Sequence, residues 1–125
     1  MARYLDAMQF KTNLRLGKAV EQWLSHYDEA NYTIIKWLRI DKESDESYSL
    51  AYFESLDEGG KDCIDIYHFS LLDPDELGGV ITTFTSTDDA LEFAITTYKA
   101  FADKFVTGGM IQEEYRDYIN SKTMR

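Results

Sequence analysis

The chain of 125 residues carries 23 acidic and 13 basic side chains, which gives a net charge of −10 at neutral pH. This length suits one domain with one hydrophobic core, and a hydrophobic content of 44% is too high for a disordered acidic segment. The negative charge disfavours nucleic-acid binding, which depends on Lys and Arg neutralising phosphates. We therefore expect one soluble domain over residues 1–125.

Several features favour a cytoplasmic protein without membrane association. No apolar run approaches the roughly 20 residues that cross a bilayer, and the first residues lack the basic and apolar regions of a signal peptide. Cys63 is the only cysteine, which excludes an intramolecular disulfide and a thiolate metal cluster.

The first predicted element is a helix over residues 13–28, with Thr12 or Asn13 as its N-terminal cap. Its apolar residues recur at helical spacing: Leu16, Val20, Trp23, Leu24 and Tyr27. A second, shorter helix is expected just before it, on Tyr4, Leu5 and Met8.

Four strands are predicted next, because β-branched and aromatic residues are frequent over residues 32–40, 47–54, 62–70 and 79–85. The acidic connection 41–46 is short enough for an antiparallel hairpin.

Two helices are predicted to close the chain. Ser86 lies three residues before Asp89, a spacing typical of a capped helix start. The first helix has an apolar stripe formed by Leu91, Ala94, Ile95, Tyr98, Phe101, Ala102 and Phe105. Gly108 and Gly109 are expected to end it. The last helix carries Ile111, Tyr115, Tyr118 and Ile119.

The predicted fold class is therefore α+β, with a four-stranded antiparallel meander, an N-terminal helix and two C-terminal helices in the order α-β-β-β-β-α-α. Most of the strands carry apolar residues on both faces, which a sheet with one solvated face does not require. Either helices cover both faces, or a second subunit covers the open one. The second alternative predicts a homodimer.

The residues with reactive side chains are interpreted as structural, and no cofactor is predicted. Asp65 is expected on the opposite strand face from His68, so it cannot orient that imidazole as a general base. His26 is expected to stabilise the end of the first helix. Cys63 is interpreted as a small buried strand residue.

The segment from Asp41 to Asp45 has alternating carboxylates, as a calcium-binding loop does. Glu46 stands where such a loop requires glycine, and Tyr52 stands where it requires a bidentate glutamate. No metal site is predicted.

The strongest functional signal is the charge between Asp41 and Glu92, where fifteen acidic and two basic side chains give a net charge of −13. It favours a small non-catalytic module, inhibitor-like, immunity-like or chaperone-like, that binds a basic partner. The predicted contacts are Asp57, Glu58, Asp62, Tyr48, Tyr52, Tyr67 and Trp37.

Two other hypotheses stay open. In the first, the chain is a small enzyme or ligand carrier with a pocket between sheet and helices, around His68, Tyr67 and Glu54. Alternatively, it is a homodimeric domain whose acidity only provides solubility.

Overall fold

The structure is a computed structural model that describes residues 4–60, 63–71 and 80–123. Its helices are α1 (Ala7–Arg15), α2 (Thr87–Tyr98) and α3 (Ile111–Thr123). Its strands are β1 (Val20–Asp28), β2 (Thr33–Lys42), β3 (Tyr48–Leu56), β4 (Val80–Phe84) and β5 (Val106–Thr107). The α+β fold with an N-terminal helix, an antiparallel sheet and two C-terminal helices is confirmed. In these residues no helix has the length and apolar character needed to span a membrane.

In the described residues the sheet has five strands instead of the predicted four, in the order β4-β3-β2-β1-β5. Strands β1 to β4 form an antiparallel meander, and β5 pairs with the start of β1. The acidic connection is a hairpin turn as predicted, since Lys42 pairs with Tyr48 and Glu43 N donates to Ser47 O at 2.8 Å. This hairpin joins β2 to β3, which pair over nine residues within the sheet.

Helices cover both faces of the sheet, which is the first of the two predicted alternatives. On one face, called the α1–α2 face, Leu38 and Ile40 of β2 belong to a buried cluster with residues of α1 and α2. On the other, called the α3 face, Ile35 and Trp37 pack with residues of α3 and with Ile66. Each fully buried Leu or Ile contributes about 1.5–3 kcal/mol, so two cores stabilise this small domain.

The helix predicted over residues 13–28 is wrong, because α1 ends at Arg15 and the rest of that range is mostly β1. Gly17 has a φ of +83°, in the left-handed region that ends helices. The cap is Asp6, whose Oδ1 accepts from Gln9 N at 2.8 Å, while Gln9 Oε1 accepts from Asp6 N at 2.9 Å. This reciprocal capping box begins the helix well before Thr12 or Asn13.

A bulge explains why β1 resembles a helix in sequence. The pairing register with β2 shifts between Trp23 and Ser25. Leu24 packs into the same cluster as Val20, and the shift then puts Tyr27 beside Ile34, on the same face. A bulge inserts one extra residue into the alternation. The apolar residues of that face therefore recur at spacings of four and three, which match a helical period.

The strand predicted over residues 62–70 is also wrong for the part that the structure describes. Residues 66–68 form a 3-10 helix, with His68 N donating to Asp65 O at 3.0 Å and Phe69 N to Ile66 O at 3.2 Å. Ile66 and Phe69, three residues apart, are therefore both buried against the sheet. Cys63 is exposed, contrary to its interpretation as a buried strand residue.

The C-terminal helices agree better with the prediction. Ser86 Oγ accepts from Asp89 N at 3.1 Å, which confirms the cap of α2. However, α2 ends at Tyr98, where Lys99 adopts a φ of 63°, so Gly108 and Gly109 do not end it. Phe105 is still buried, but in the connection to β5.

Candidate functional site

The four predicted aromatic contact residues lie on two faces of the sheet. Tyr48 and Tyr52 belong to the α1–α2 face, where Tyr52 stacks on Tyr98 with ring centroids 4.1 Å apart. Trp37 and Tyr67 lie on the α3 face and meet edge to face at 5.7 Å. Trp37 and Tyr67 therefore share one candidate site, and Tyr48 and Tyr52 lie on the opposite face of the sheet.

That site is a cavity of about 490 Å³ between β2, β3 and the segment 66–71, called the aromatic cavity below. Trp37 pairs with Phe53 across β2 and β3, and their rings stack at 4.2 Å. The bridge between Ser55 and Leu71 holds the segment 66–71 over the sheet. The lining residues of the aromatic cavity are Trp37, Arg39, Phe53, Ser55, Ile66, Tyr67, Phe69, Ser70 and Leu71.

One wall of the aromatic cavity is organised by Glu21, whose side chain is 0% exposed. Its Oε2 accepts from Arg39 Nη1 at 2.7 Å and from the Tyr67 hydroxyl at 2.6 Å. Its Oε1 accepts from Gly109 N at 2.9 Å and Ile111 N at 3.3 Å. A buried carboxylate needs such partners, and the first amides of α3 favour negative charge there. Glu21 thus fixes Arg39 and Tyr67 on the wall.

The groups on this wall hold their protons. Burial raises the pKa of Tyr67 well above its usual range, and the hydrogen bond to Glu21 raises it further, so the phenol remains a donor. Burial lowers the pKa of Arg39, but its contacts with Asp41 and Glu21 raise it by more. Arg39 Nε lies 3.0 Å from Asp41 Oδ2. This geometry suits binding through fixed donors and aromatic rings.

Among the described residues, carboxylates outnumber cations around the aromatic cavity. Arg39 is bonded to two of them, Glu21 and Asp41. Glu58 accepts from the amide of Ser70, a lining residue, at 2.5 Å, and Asp65 Oδ2 lies 3.2 Å from His68 Nε2. Four carboxylates and one guanidinium give this region a net charge of −3 when His68 is neutral. Such a field attracts cations.

The predicted acidic contacts have different positions. Glu58 is exposed near the aromatic cavity. Asp57 accepts from the Tyr115 hydroxyl at 2.5 Å, so it connects the sheet to α3. Asp62 lies outside the described residues.

The pocket predicted around His68, Tyr67 and Glu54 is not assembled. The Glu54 carboxylate accepts from Tyr52 at 2.7 Å on the α1–α2 face, whereas Tyr67 lies on the α3 face. The His68 side chain is 82% exposed and does not line the aromatic cavity. Asp65 is in reach of His68, contrary to prediction, because a 3-10 turn replaces the strand.

The remaining polar residues singled out in the sequence have structural partners. His26 lies in β1, not at a helix end, and contacts the Tyr118 ring at 4.6 Å. In the acidic turn, Asp45 accepts from Ser47 N at 3.0 Å and Glu46 pairs with Lys42 at 2.9 Å. Within the described part of the chain, no three His, Cys, Asp or Glu side chains are grouped as metal ligands would be.

Comparison with known proteins adds no family to these observations. No protein-family model matches the chain, and no curated protein or solved structure shows significant similarity to it.

Sequence reasoning missed Glu21, Arg39 and Phe53 as site residues. The available signal was a pair of opposite charges, Glu21 and Arg39, each next to apolar residues in its segment. Because Glu21 was assigned to a helix, no strand register connected it to Arg39, with which it pairs directly.

Proposed function

We propose that this chain is a non-catalytic binding module that captures a basic protein by taking a Lys or Arg side chain into the aromatic cavity. The observation that carries the proposal is a cavity walled by Trp37, Phe53 and Tyr67, in a region where the carboxylates that the structure describes exceed the cations. A function as an inhibitor, an immunity protein or a chaperone is compatible with such capture.

The physical reason is that aromatic ring faces and carboxylates both attract a cation, while the apolar floor accepts its aliphatic stem. Arg39 does not oppose this attraction strongly, since Glu21 and Asp41 neutralise it. The wider acidic surface accelerates the encounter with a basic protein.

The proposal includes a cytoplasmic location, where reducing conditions protect an exposed thiol such as that of Cys63. A homodimer is not required by it, because helices already cover both sheet faces.

The test is capture of partners from source-cell lysate by the tagged protein, washed at about 50 mM and about 500 mM salt. High salt shortens the screening length well below its value of roughly 10 Å at 0.1 M, so contacts made only by surface charge are lost. We expect one basic protein to be retained stoichiometrically through both washes.

Two variants locate the binding site. Phe53→Ala removes one stacked ring and should weaken the purified complex by about 5- to 30-fold, the equivalent of about 1–2 kcal/mol of cation–π and apolar contact. Its control is Phe101→Ala, which removes an equally large ring that is exposed and does not line the cavity.

The double variant Glu58→Gln and Asp65→Asn should slow association without unfolding the protein, because amides preserve the side-chain shape. Glu29→Gln with Asp103→Asn is the matched control, since it also removes two negative charges, from exposed residues that belong neither to β2 nor to the chain from β3 to Leu71 that forms the cavity. Retention of no specific protein, or equal effects of both pairs, would contradict the proposal.

A second candidate function is transport of a small cationic ligand. It is favoured by the cavity volume of about 490 Å³, which lies within the roughly 300–1,000 Å³ of small-molecule sites. Native mass spectrometry of protein purified from its source distinguishes the two: a carrier retains an added small mass that Phe53→Ala loses.

A further inference from the structure

Among the residues that the structure describes, the outer edge of β4 is an open strand edge. Val80–Phe84 contains no charged residue and no proline, and its register with β3 is continuous. Val80 is 40% and Ile81 is 59% exposed, although both are strongly strand-forming. Among the described residues, no strand pairs with this edge. Edges of this kind readily accept a further strand.

The opposite edge of the sheet is protected, which makes the contrast informative. Strand β1 is interrupted by its bulge and is partly covered by β5. The Gln22 side-chain amide bonds both the carbonyl and the N–H of Phe101, at 2.9 and 2.8 Å, so the segment after α2 is fixed against the α1–α2 face of β1. In the described part of the chain, β1 is thus paired at its start and interrupted by a bulge, whereas β4 has neither feature.

A groove runs beside the open edge, between β4 and α2, with a volume of about 360 Å³. Its apolar part is formed by Phe84 and Phe93, whose ring centroids are 5.1 Å apart. Its polar part includes the exposed carboxylates of Asp89 and Glu92, and no basic residue of the described chain lines it. A strand added to β4 would place alternate side chains over this groove.

We propose that the β4 edge binds an extended segment of a basic partner as a sixth antiparallel or parallel strand. On the α2 side, the segment presents an apolar side chain to Phe84 and Phe93 and a Lys or Arg to Asp89 and Glu92. This mode is β-strand addition, in which backbone hydrogen bonds provide affinity and side-chain pockets provide specificity. The inference rests on the proposed function only for the basic character of the partner, and it uses a separate surface.

Charge complementarity selects this occupant over a second copy of the chain. Two β4 strands paired with each other would join two chains of net charge −10. They would also bring the carboxylates of both grooves to the same side of one continuous sheet, with no lining cation to offset them. A basic segment paired with β4 would cover the exposed Val80 and Ile81 as a second copy would, and it would also neutralise Asp89 and Glu92.

The test is a titration of the isotopically labelled protein with a short synthetic peptide of repeated Val-Thr-Lys-Thr, in which valine and lysine occupy every second position and so face α2 together. Amide chemical shifts should change at Val80–Phe84 and along the groove side of α2, and exchange of β4 amides should slow. A peptide with the same side chains but N-methylated backbone, and one with glutamate replacing lysine, should each bind at least tenfold more weakly.

Variants separate this surface from the aromatic cavity. Asp89→Lys with Glu92→Lys should weaken peptide binding at least tenfold, and Phe53→Ala should leave it unchanged. Equal binding of the N-methylated peptide, shifts confined to other residues, or self-association of the free protein through β4 in sedimentation would overturn the inference. Lysate capture that depends on Phe53 while the peptide fails to bind β4 would reject strand addition and retain the proposed function.

Discussion

Replacement of the buried carboxylate in Glu21→Gln is expected to destabilise the fold by about 3 kcal/mol. The amide keeps the shape of the side chain, and its oxygen can still accept from Gly109 N and Ile111 N. Its NH₂ group, however, would face Arg39 Nη1, a donor 2.7 Å from the present oxygen. Removing one partner of a buried ion pair costs about 3–5 kcal/mol. We expect the lower end of this free-energy range, because the Arg39 side chain is 33% exposed and retains its ion pair with Asp41.

The assay is urea unfolding followed by tryptophan fluorescence, with a thermal scan as a second measurement. For a domain of 125 residues, an unfolding entropy of about 2.1 cal/mol/K per residue converts 3 kcal/mol into a Tm lower by about 11 °C. Asp41→Asn is the control, because this partly exposed partner of Arg39 should contribute no more than about 1 kcal/mol. A Glu21→Gln protein within about 0.5 kcal/mol of the parent would refute the role assigned to this network.

Three further outcomes follow from the packing around Tyr115 and from the buried phenols. Gly59→Ala should destabilise the protein by at least about 2 kcal/mol in urea unfolding, because the new Cβ would meet Cys63 O, Phe69 Cζ and the Tyr115 hydroxyl. Gly60→Ala is the control, since its Cβ meets nothing within 4 Å. Equal stabilities of the two variants would contradict this prediction. Tyr115→Phe should cost about 1–2 kcal/mol by removing the bond to Asp57, and a neutral effect in the same assay would show that water replaces it. Burial, then hydrogen bonds to carboxylates, raises the pKa of Tyr52, Tyr67 and Tyr115. The folded state holds these protons more tightly, so the contribution of the three phenols to stability should be constant below pH about 10 and fall above it. Phenolate absorbance at high pH should accordingly increase when denaturant is added, and no increase would reject the shifts.

Several elements were predictable because their signals are local. The hairpin between β2 and β3 follows from two strand-forming segments and a short polar connection. The start of α2 follows from the spacing of Ser86 and Asp89, a capping interaction made within one turn. The last helix follows from the spacing of Ile111, Tyr115 and Ile119, all of which are buried.

Other elements were mispredicted because the deciding contacts are distant in sequence. The bulge of β1 depends on pairing with β2, and without it the apolar residues from Val20 to Tyr27 fit a helix equally well. The segment around Ile66 depends on packing against Trp37 and α3, which favours burial of residues three apart over strand alternation.

The sequence by itself determined the α+β class, the central hairpin, the capped start of α2 and the acidity, since these depend on composition and on neighbours within a few residues. Only the tertiary structure decided which polar residues meet. It joined Glu21 to Arg39, Tyr67 and the start of α3, and it separated Tyr52 and Glu54 from Trp37. The physical reason is that strand register and the choice of sheet face are set by long-range pairing and burial, and a shift of one residue reverses the face of every side chain that follows.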